Sequence, residues 1–386
     1  MGKRMLFAAL LLAAGTFFAG CCTSGYSNLK DGEARYPQLK KVYDRMARGE
    51  KVKIAYLGGS ITWGATATDP QKTSWRALYT RSLEEKFPQA HIQAIDAAIG
   101  GKGSDLGVFR MDRDVLANKP DMTLVEFAVN DGHKDRNESF EGVLRKLHKS
   151  NPQMAIVVVI AGSGDKKFAS INQDKYIEIA NYYNLPYADV VNGVNRLILA
   201  NKLKTPKQML TDGCHPNDFG YTIYNRIVTE SLGRAAAEPG KAKPWPEKPF
   251  TANRYESAEA IPLATLLPRK SADWRKEVPS VVGAWFDHQP SRWLDSVIVP
   301  RKDKAVLTVK RICSGVGIYF ETLPKGSRFE VLVDGKKVLD VNTAFSQTNP
   351  GLGNRFVFLE GPAKERTITI RADGRNLRLG SLLVTR

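Results

Sequence analysis

The sequence predicts an α/β fold, a three-layer sandwich around a parallel sheet, followed by an all-β sandwich or jelly-roll domain. Three observations predict it. From residue 36 to 235, short apolar runs alternate with stretches of helical periodicity, as in successive βαβ units. A stretch rich in proline and charge, 236–252, then interrupts this alternation. From residue 253 to 386 the helical periodicity fades, and short strand-like runs are separated by turn residues.

The first 20 residues have the composition of a secretory signal peptide. Positive charge at Lys3 and Arg4 precedes an apolar run that ends in small residues and is too short for a permanent membrane span. The run ends in FAGC, which resembles the lipobox of bacterial lipoproteins, with Phe18 where an aliphatic residue is usual. We therefore expect Cys21 to be lipidated, residues 21–35 to form a tether, and the chain to be exported and anchored to a bacterial membrane, in the periplasm or at the cell surface. The alternative is a simple signal peptide with an incidental cysteine.

Five apolar runs of residues 36–235 predict the strands of the parallel sheet, and four amphipathic stretches predict its helices. The run MAIVVVIAG is apolar throughout, which is typical of a central parallel strand buried on both faces. Thr73 or Ser74 is the candidate N-cap of the first of these helices. The predicted strands are KVKIAYLG, HIQAIDAAI, MTLVEFAV, MAIVVVIAG and LPYADVV. The predicted helices are TSWRALYTRSLEEKF, SFEGVLRKLHKS, SINQDKYIEIANYYN and NDFGYTIYNRIVTESLGRA.

The C-terminal third predicts a separate β-domain behind a linker. The linker, 236–252, is rich in proline, so we expect few contacts to cross it. Asp334–Gly335 lies between two alternating runs, which is a strong hairpin signal. The strand-like runs are AVLTVKRI, GVGIYFETL, RFEVLVDGKKVLDV, RFVFLEG, RTITIRAD and LRLGSLLVT.

The charge and the cysteine content indicate which class of partner the chain binds, and they exclude several kinds of site. The chain has 57 Lys and Arg against 40 Asp and Glu, a net charge of +17, which favours anionic partners such as an acidic polysaccharide. The excess is spread along the chain, whereas a nucleic-acid site would concentrate it, so no nucleic acid is expected. Cys214 and Cys313, the other two cysteines besides Cys21 and Cys22, have no zinc-site spacing, and no phosphate-loop or dinucleotide motif fits. We expect no metal and no cofactor.

Four polar motifs follow predicted strands or precede the last helix. Ser60 follows the first strand, Gly101 the second and Asn130 the third, while Asp212 and His215 lie before the final helix. Ligands of parallel α/β sheets bind beyond the carboxyl ends of the strands, so these motifs converge on one edge. That convergence makes Ser60 a candidate nucleophile rather than an ordinary turn residue. His215 is its natural base and Asp212 can orient the imidazole; His133 is a rival base.

The order and spacing of these motifs over residues 52–232 resemble the SGNH hydrolase family, also called GDSL esterases. Its four blocks match GGSITWG, DAAIGGKG, AVND and DGCHP. The resemblance implies a flavodoxin-like sandwich, a catalytic triad of Ser60, His215 and Asp212, and an oxyanion hole formed by Ser60, Gly101 and Asn130. Two positions depart from the family. Gly59 stands where the family has Asp, and Asp96 stands where the second block often begins with Asn.

The resemblance implies a carboxylic ester hydrolase, and we expect a carbohydrate esterase that removes acetyl groups from a polysaccharide, because family members joined to β-sandwiches often act this way. One alternative is a lipolytic acylhydrolase or thioesterase, which the Gly-, Lys-, Asp- and Asn-rich loops after the strands disfavour. Another is a catalytically silent glycan-binding lipoprotein, which the intact Ser60, Asn130 and His215 disfavour.

The second domain has two open roles. In one role the domain guides the enzyme to an anionic polymer, and in the other it packs against the first domain as a structural support. Its aromatic cluster, Trp285, Phe286, His288 and Trp293, forms either a sugar-stacking platform or part of a core.

Overall fold

The computed structural model describes Leu29 and residues 32–131, 137–280, 290–345 and 351–386. The predicted signal peptide with Cys21 lies outside these residues, as do His133, Trp285, Phe286 and His288. Within the described ranges, no helix combines the length and hydrophobicity that a membrane span requires.

A five-stranded parallel sheet forms the centre of the first domain, in the order β2-β1-β3-β4-β5. This is the strand order of flavodoxin-like folds, the arrangement that the family resemblance implies. Gly58 at the end of β1 pairs with Ala98 of β2 on one side and Glu126 of β3 on the other, so the three strands end at one level. The strands are β1 (Lys51–Gly58), β2 (His91–Ala98), β3 (Met122–Glu126), β4 (Ala155–Ile160) and β5 (Tyr187–Asp189).

Helices cover this sheet in two groups. The long helix α8 packs against α1, α3 and α7, while α5 packs against α4 and α6. Ser74 is the N-cap of α3, since its side chain accepts a hydrogen bond from the N–H of Ala77 at 3.4 Å. The helices are α1 (Pro37–Ala47), α2 (Ser60–Trp63), α3 (Trp75–Lys86), α4 (Ser104–Asp114), α5 (Asn137–Ser150), α6 (Gln173–Tyr182), α7 (Val190–Leu199) and α8 (Asp218–Ala236). Short 3₁₀ turns lie at Leu116–Asn118, Pro206–Met209 and Leu263–Leu266.

Helices α1, α4 and α7 are absent from the sequence prediction. The run LPYADVV is a strand only as far as Asp189, whose carboxylate caps α7 by accepting the N–H of Asn192 at 2.9 Å. Helix α4 contains Gly107, where an added Cβ would lie 2.6 Å from the ring of Phe127. Close packing on β3 therefore selects the glycine against its low helix propensity.

The second domain is a sandwich of two antiparallel sheets, as predicted. Its six-stranded sheet has the order β13-β10-β15-β8-β7, with β6 paired to β15, and its four-stranded sheet the order β12-β11-β14-β9. Asp334 and Gly335 both have positive φ, 51° and 84°, in the predicted β11–β12 hairpin. The elements are β6 (Glu259–Pro262), β7 (Trp274–Glu277), α9 (Pro290–Trp293), β8 (Val297–Pro300), β9 (Val306–Cys313), β10 (Gly315–Thr322), β11 (Arg328–Val333), β12 (Lys336–Asn342), β13 (Gly351–Phe358), β14 (Lys364–Asp373) and β15 (Leu379–Thr385).

The segment between α8 and β6, residues 237–258, is called the interdomain segment below. It forms neither helix nor sheet strand, but it is attached to the first domain by several contacts. Trp245 stacks on His148 of α5 with ring centres 3.8 Å apart. Glu141 of the same helix accepts hydrogen bonds from the N–H groups of Phe250 at 2.6 Å and Thr251 at 2.7 Å. The expectation of few contacts across this segment is therefore wrong, because its aromatic residues supply apolar area that α5 buries.

The two domains share a hydrophobic core. Trp293, Leu294, Val297 and Tyr319 of the second domain are buried in the same cluster as the first domain's helices and sheet. Trp293 is 4% exposed, so this member of the aromatic cluster fills a core rather than a platform.

Candidate active site

Ser60 is the first residue of the four-residue helix α2, directly after the tight turn at Gly59 that ends β1. An added Cβ at Gly58 would lie 2.3 Å from Thr62 Oγ1, so only glycine allows the turn to fold back on the strand end. Gly64 ends α2 in the left-handed conformation, with φ 102°. The turn presents Ser60 at the carboxyl edge of the sheet, where it is 5% exposed.

A chain of hydrogen bonds joins Ser60, His215 and Asp212. Ser60 Oγ lies 2.8 Å from His215 Nε2, and His215 Nδ1 lies 2.7 Å from Asp212 Oδ2. Ser60 and His215 are 155 positions apart in sequence, so the fold alone brings them together. In this order the imidazole can take the hydroxyl proton on one nitrogen while the carboxylate fixes the proton on the other.

The backbone around Asp212 keeps its carboxyl group ionised. Burial by itself would raise the pKa of Asp212, but hydrogen bonds from the N–H and ring of His215 and from the N–H of Cys214 outweigh burial and lower the pKa. The two backbone distances to Asp212 Oδ1 are 2.8 Å from His215 and 3.1 Å from Cys214. A lasting negative charge at this place can stabilise an imidazolium at His215.

Asn130 lies directly against the turn that carries Ser60. A Cβ added at Gly59 would be 1.8 Å from Asn130 Oδ1, so the amide occupies the space that any side chain at position 59 would need. The absence of the family's Asp at this position therefore matches the placement of Asn130. The side-chain amide of Asn130 therefore lies beside the turn that carries Ser60, and an amide N–H is a suitable donor for an oxyanion hole.

Gly101 lies on the turn that follows β2, the neighbouring strand of β1. Its φ is +68°, in the left-handed region that glycine adopts without strain. The turn is joined to β1, because the N–H of Ile99 donates to the carbonyl of Gly58 at 3.0 Å. The second domain also reaches this turn, since Lys102 Nζ donates a hydrogen bond to the carbonyl of Leu352.

Three buried polar residues near these groups are missing from the sequence prediction. Asp131, next to Asn130, accepts the N–H of Ser104 at 2.9 Å and the hydroxyl of Tyr176 at 2.5 Å. Arg110 donates to the carbonyls of Ala97 and Gly58, where β2 and β1 end. Glu126 lies beneath the Ser60 turn and accepts the hydroxyl of Thr62 at 2.8 Å. A charged residue inside an apolar run, as in VEFAV, was the available signal for Glu126.

Two further histidines, His91 and His148, and the thiol of Cys313 lie apart from this site, whereas Cys214 is next to His215. His91 begins β2 and is exposed, and His148 stacks under the interdomain segment, where burial and then Arg145 lower its pKa. Cys214 and Cys313 are free thiols. Among the described residues, no group of three or more His, Cys, Asp or Glu side chains could hold a metal ion.

Comparison with known proteins identifies the first domain and the two-domain fold. Residues 56–223 match the sequence model of the GDSL-like Lipase/Acylhydrolase family. A search of curated protein sequences finds no match.

Among solved structures, a two-domain esterase (CEX) active on acetylated mannans, co-crystallized with mannopentaose, is 24% identical with a TM-score of 0.74 over 93% of this chain and 97% of that one. The same esterase in a second structure has a TM-score of 0.75 over 93% and 98%. Axe2, an acetylxylan esterase from Geobacillus stearothermophilus, is 22% identical with a TM-score of 0.39 over 47% of this chain and 94% of that one. The likeness to the two-domain esterase extends over both domains of this chain, so the α/β unit followed by a β-sandwich is a shared fold.

Proposed function

We propose that this chain, a carboxylic ester hydrolase whose residues 56–223 match the GDSL-like lipase/acylhydrolase family, removes acetyl groups from a polysaccharide through Ser60, His215 and Asp212. The observation that carries the mechanism is the hydrogen-bonded chain from Ser60 Oγ through His215 to Asp212, at the carboxyl edge of the sheet.

In the first half of the reaction, Ser60 Oγ attacks the ester carbonyl carbon while His215 Nε2 accepts the hydroxyl proton. The N–H groups of Ser60 and Gly101 and the amide of Asn130 stabilise the tetrahedral oxyanion. The bond between the acyl carbon and the sugar oxygen then breaks. His215 gives its proton to that oxygen, which leaves as a sugar hydroxyl, and the acyl group stays on Ser60.

In the second half, water replaces the sugar. His215 takes a proton from the water molecule as its oxygen attacks the acyl-enzyme carbonyl, and the same donors stabilise the second oxyanion. Collapse of this intermediate breaks the bond to Ser60, and His215 returns the proton to Ser60 Oγ. Acetate leaves and the enzyme is regenerated, so no metal or other cofactor is needed for the atoms to balance.

Two observations support an acetylated glycan as the substrate. The two-domain esterase that shares the fold is described as active on acetylated mannans. The loops that follow β1, β2 and β3 are rich in Gly, Lys, Asp and Asn, whereas an enzyme for long acyl chains needs an apolar cleft. The net charge of +17 favours an acidic glycan among the candidates.

Nitrophenyl esters of increasing chain length test the acyl preference, and acetate release from acetylated mannan, xylan and an acidic glycan tests the acceptor. We expect acetyl esters to be turned over fastest and at least one polysaccharide to release acetate. Faster turnover of acyl chains longer than eight carbons would replace the proposal with the lipolytic alternative. Absence of turnover on every ester would favour the silent glycan-binding alternative.

We also propose that the chain is exported and lipid-anchored at Cys21. The signal-like residues 1–20 and the FAGC sequence support this proposal. Expression of the full chain in a bacterium, followed by membrane fractionation and mass spectrometry of the N-terminal peptide, tests it. We expect the wild type in the membrane fraction and Cys21→Ala in the soluble exported fraction. Equal release of both forms would reject the lipid anchor.

A further inference from the structure

Glu126 is a buried carboxyl group beneath the nucleophile turn that the proposed reaction does not use. It is the last residue of β3 and pairs in register with Gly58, the last residue of β1. Its side chain is 1% exposed, and Oε2 accepts a hydrogen bond from Thr62 Oγ1 at 2.8 Å. Thr62 itself is fully buried and lies two positions after Ser60 on the same helical turn.

Burial of the Glu126 carboxyl group destabilises the fold. Oε1 is buried and, within the described part of the chain, accepts no hydrogen bond. Burial raises the pKa of Glu126 to about 7, against the lowering effect of the hydrogen bond from Thr62. A leucine or methionine of similar size would fill the same space without the desolvation cost. Packing therefore gives no reason for an ionisable group here.

The main interactions that stabilise the ionised form of Glu126 come from the Ser60 turn, because its other titratable neighbours disfavour a negative charge. Among the described residues, the titratable side chains that interact with it are Asp131 after β3, Cys214 before α8, and Tyr221 and Tyr224 on α8, all of them acids. The interactions that favour its ionised form come from the turn itself, through the Thr62 hydroxyl and the backbone N–H groups of Gly59 and Thr62. Hydrogen bonds to an ionised acceptor are about twice as strong as neutral ones.

The turn needs such an anchor because helix α2 cannot hold its own shape. It has four residues and ends at a left-handed glycine. An isolated helix shorter than about 12 residues is marginal in water, so tertiary contacts must fix its conformation. The hydroxyl of Thr62 is the side-chain group of this turn that reaches down to the central strand.

We propose that Glu126 is a positioning residue for the nucleophile: its carboxyl group holds the Ser60 turn through Thr62, so that Ser60 Oγ stays within hydrogen-bond distance of His215 Nε2. This inference rests on the proposed role of Ser60 as nucleophile. The stability lost by burying the carboxyl group is exchanged for a fixed attacking geometry, as buried groups that support an active site commonly are. A misplacement of about 1 Å costs roughly 10²-fold in rate.

A double-mutant cycle on the pair tests the proposal. We expect Glu126→Leu and Thr62→Val each to lower kcat on a short-acyl ester by about 10- to 100-fold with little change in KM. The double variant should lose no more than either single variant, because both substitutions break one contact. Thr62→Ser keeps the hydroxyl and should recover most of the activity that Thr62→Val loses.

A stability measurement separates positioning from mere structural support. At pH 8 we expect Glu126→Leu to melt no lower than the wild type, although its kcat falls. Glu141→Gln is the matched control, because Glu141 is an equally buried carboxyl group that contacts the interdomain segment instead of the site. It should melt lower and keep its kcat.

Three results would overturn the proposal: more than half of the wild-type kcat in both Glu126→Leu and Thr62→Val, additive losses in the double variant, or kcat losses that follow lowered melting temperatures. Ser60→Ala in the same assay separates the two claims. An active Ser60→Ala enzyme would reject the proposed function. An inactive Ser60→Ala enzyme with fully active Glu126 and Thr62 variants would reject only the role of Glu126.

Discussion

The α/β unit, residues 36–236, and the β-sandwich, residues 259–386, bury their sheets in different ways. In the sandwich, every residue of β15 is buried, and so are the first seven of β10, which belong to the six-stranded sheet. In the four-stranded sheet, buried and exposed residues alternate along β9. The six-stranded sheet thus has two covered faces. One packs on the sandwich's own core, and the other packs on the α/β unit, through residues such as Tyr319 and Leu383.

This difference shows that the β-sandwich is part of the catalytic unit's structure and not a module on a free tether. Polar contacts across the boundary lie close to the candidate site. Arg292 contacts Asp96 on β2 at 2.5 Å, Lys102 contacts Leu352 beside Gly101, and Asn354 contacts Asp105 at 3.4 Å. A bracing role for the sandwich follows from this shared core. A guiding role on polymer stays a prediction.

The largest effect that we expect is confined to the α/β unit. Ser60→Ala should lower turnover on the best ester by about 10⁴–10⁶-fold, because in the proposed mechanism the Ser60 hydroxyl forms the acyl-enzyme. Steady-state kinetics measures the loss, and an unchanged melting temperature would show that the fold is intact. A variant that keeps a tenth of the wild-type rate would remove Ser60 from the mechanism.

Deletion of the β-sandwich tests the shared core directly. A chain that ends at Phe250 would expose the apolar surface that Trp293, Leu294, Val297 and Tyr319 cover. Loss of each large core side chain costs about 2–5 kcal/mol, so the summed cost of the four losses is as large as the usual free energy of unfolding of a domain. We expect no cooperative thermal unfolding by circular dichroism. A soluble truncated chain that melts cooperatively and hydrolyses small esters would instead support independent domains.

Asn130→Ala should have an intermediate effect within the α/β unit. We expect kcat to fall by about 10²–10³-fold with little change in KM, because in the proposed mechanism the amide binds the oxyanion only in the transition state. A rise in KM alone would make Asn130 a substrate-binding residue instead.

Gly59→Ala tests the role of the Asn130 amide without a substitution at Asn130 itself. The new methyl group would displace the amide, since a Cβ at this position lies 1.8 Å from Asn130 Oδ1. We expect a loss of kcat similar to that of Asn130→Ala. Gly233→Ala on α8 is the control, because its Cβ would meet no atom within 4 Å. A fully active Gly59→Ala enzyme would contradict the coupling between the two positions.

Because the pKa of Glu126 is raised, we expect the stability difference between the wild type and Glu126→Gln to depend on pH. Burial raises its pKa to about 7 in the folded protein, whereas its ordinary value is 4.5. The folded state therefore holds the proton more tightly, and the wild type loses stability as pH rises from about 4.5 to 7. Glu126→Gln cannot lose a proton, so its free energy of unfolding should gain on the wild type by on the order of 3 kcal/mol over this window. Urea unfolding at pH 5 and pH 8 measures the difference, and an equal difference at both values would refute the prediction.

The smallest effects are expected at the boundary between the two units. Asp96 contacts both Arg76 of α3, at 3.0 Å, and Arg292 of the sandwich. Asp96→Asn removes the charge that pairs with the buried Arg76 and should cost about 2 kcal/mol, since the amide oxygen still accepts a hydrogen bond. Arg292→Gln breaks only the more exposed contact and should cost about 1 kcal/mol or less. Equal costs in denaturant unfolding would show that the boundary, and not Arg76, sets the role of Asp96.

Sequence patterns predicted the parallel sheet, the sandwich and the meeting of the candidate site residues at one sheet edge, whereas the flavodoxin-like arrangement came only from the family resemblance. Apolar runs and strand-end motifs are local patterns, and the ends of parallel strands meet at one edge whatever the details of packing. This is why Ser60 and His215 could be paired before the structure was known. The same local patterns missed α4 and α7, where packing on the sheet and a cap at Asp189 override weak helix propensity.

Three features became visible only in the folded chain: the shared core, the attachment of the interdomain segment to α5, and the placement of Glu126 beneath Ser60. Each depends on which face of a strand or helix meets a partner distant in sequence. An apolar run such as GVGIYFETL predicts a buried strand, but it does not say that one of its faces belongs to another domain. Nor does the carboxyl group in VEFAV indicate that its hydrogen-bond partner is Thr62, 64 positions away. Periodicity reports burial along one element, whereas the identity of the partner is a property of the packed chain.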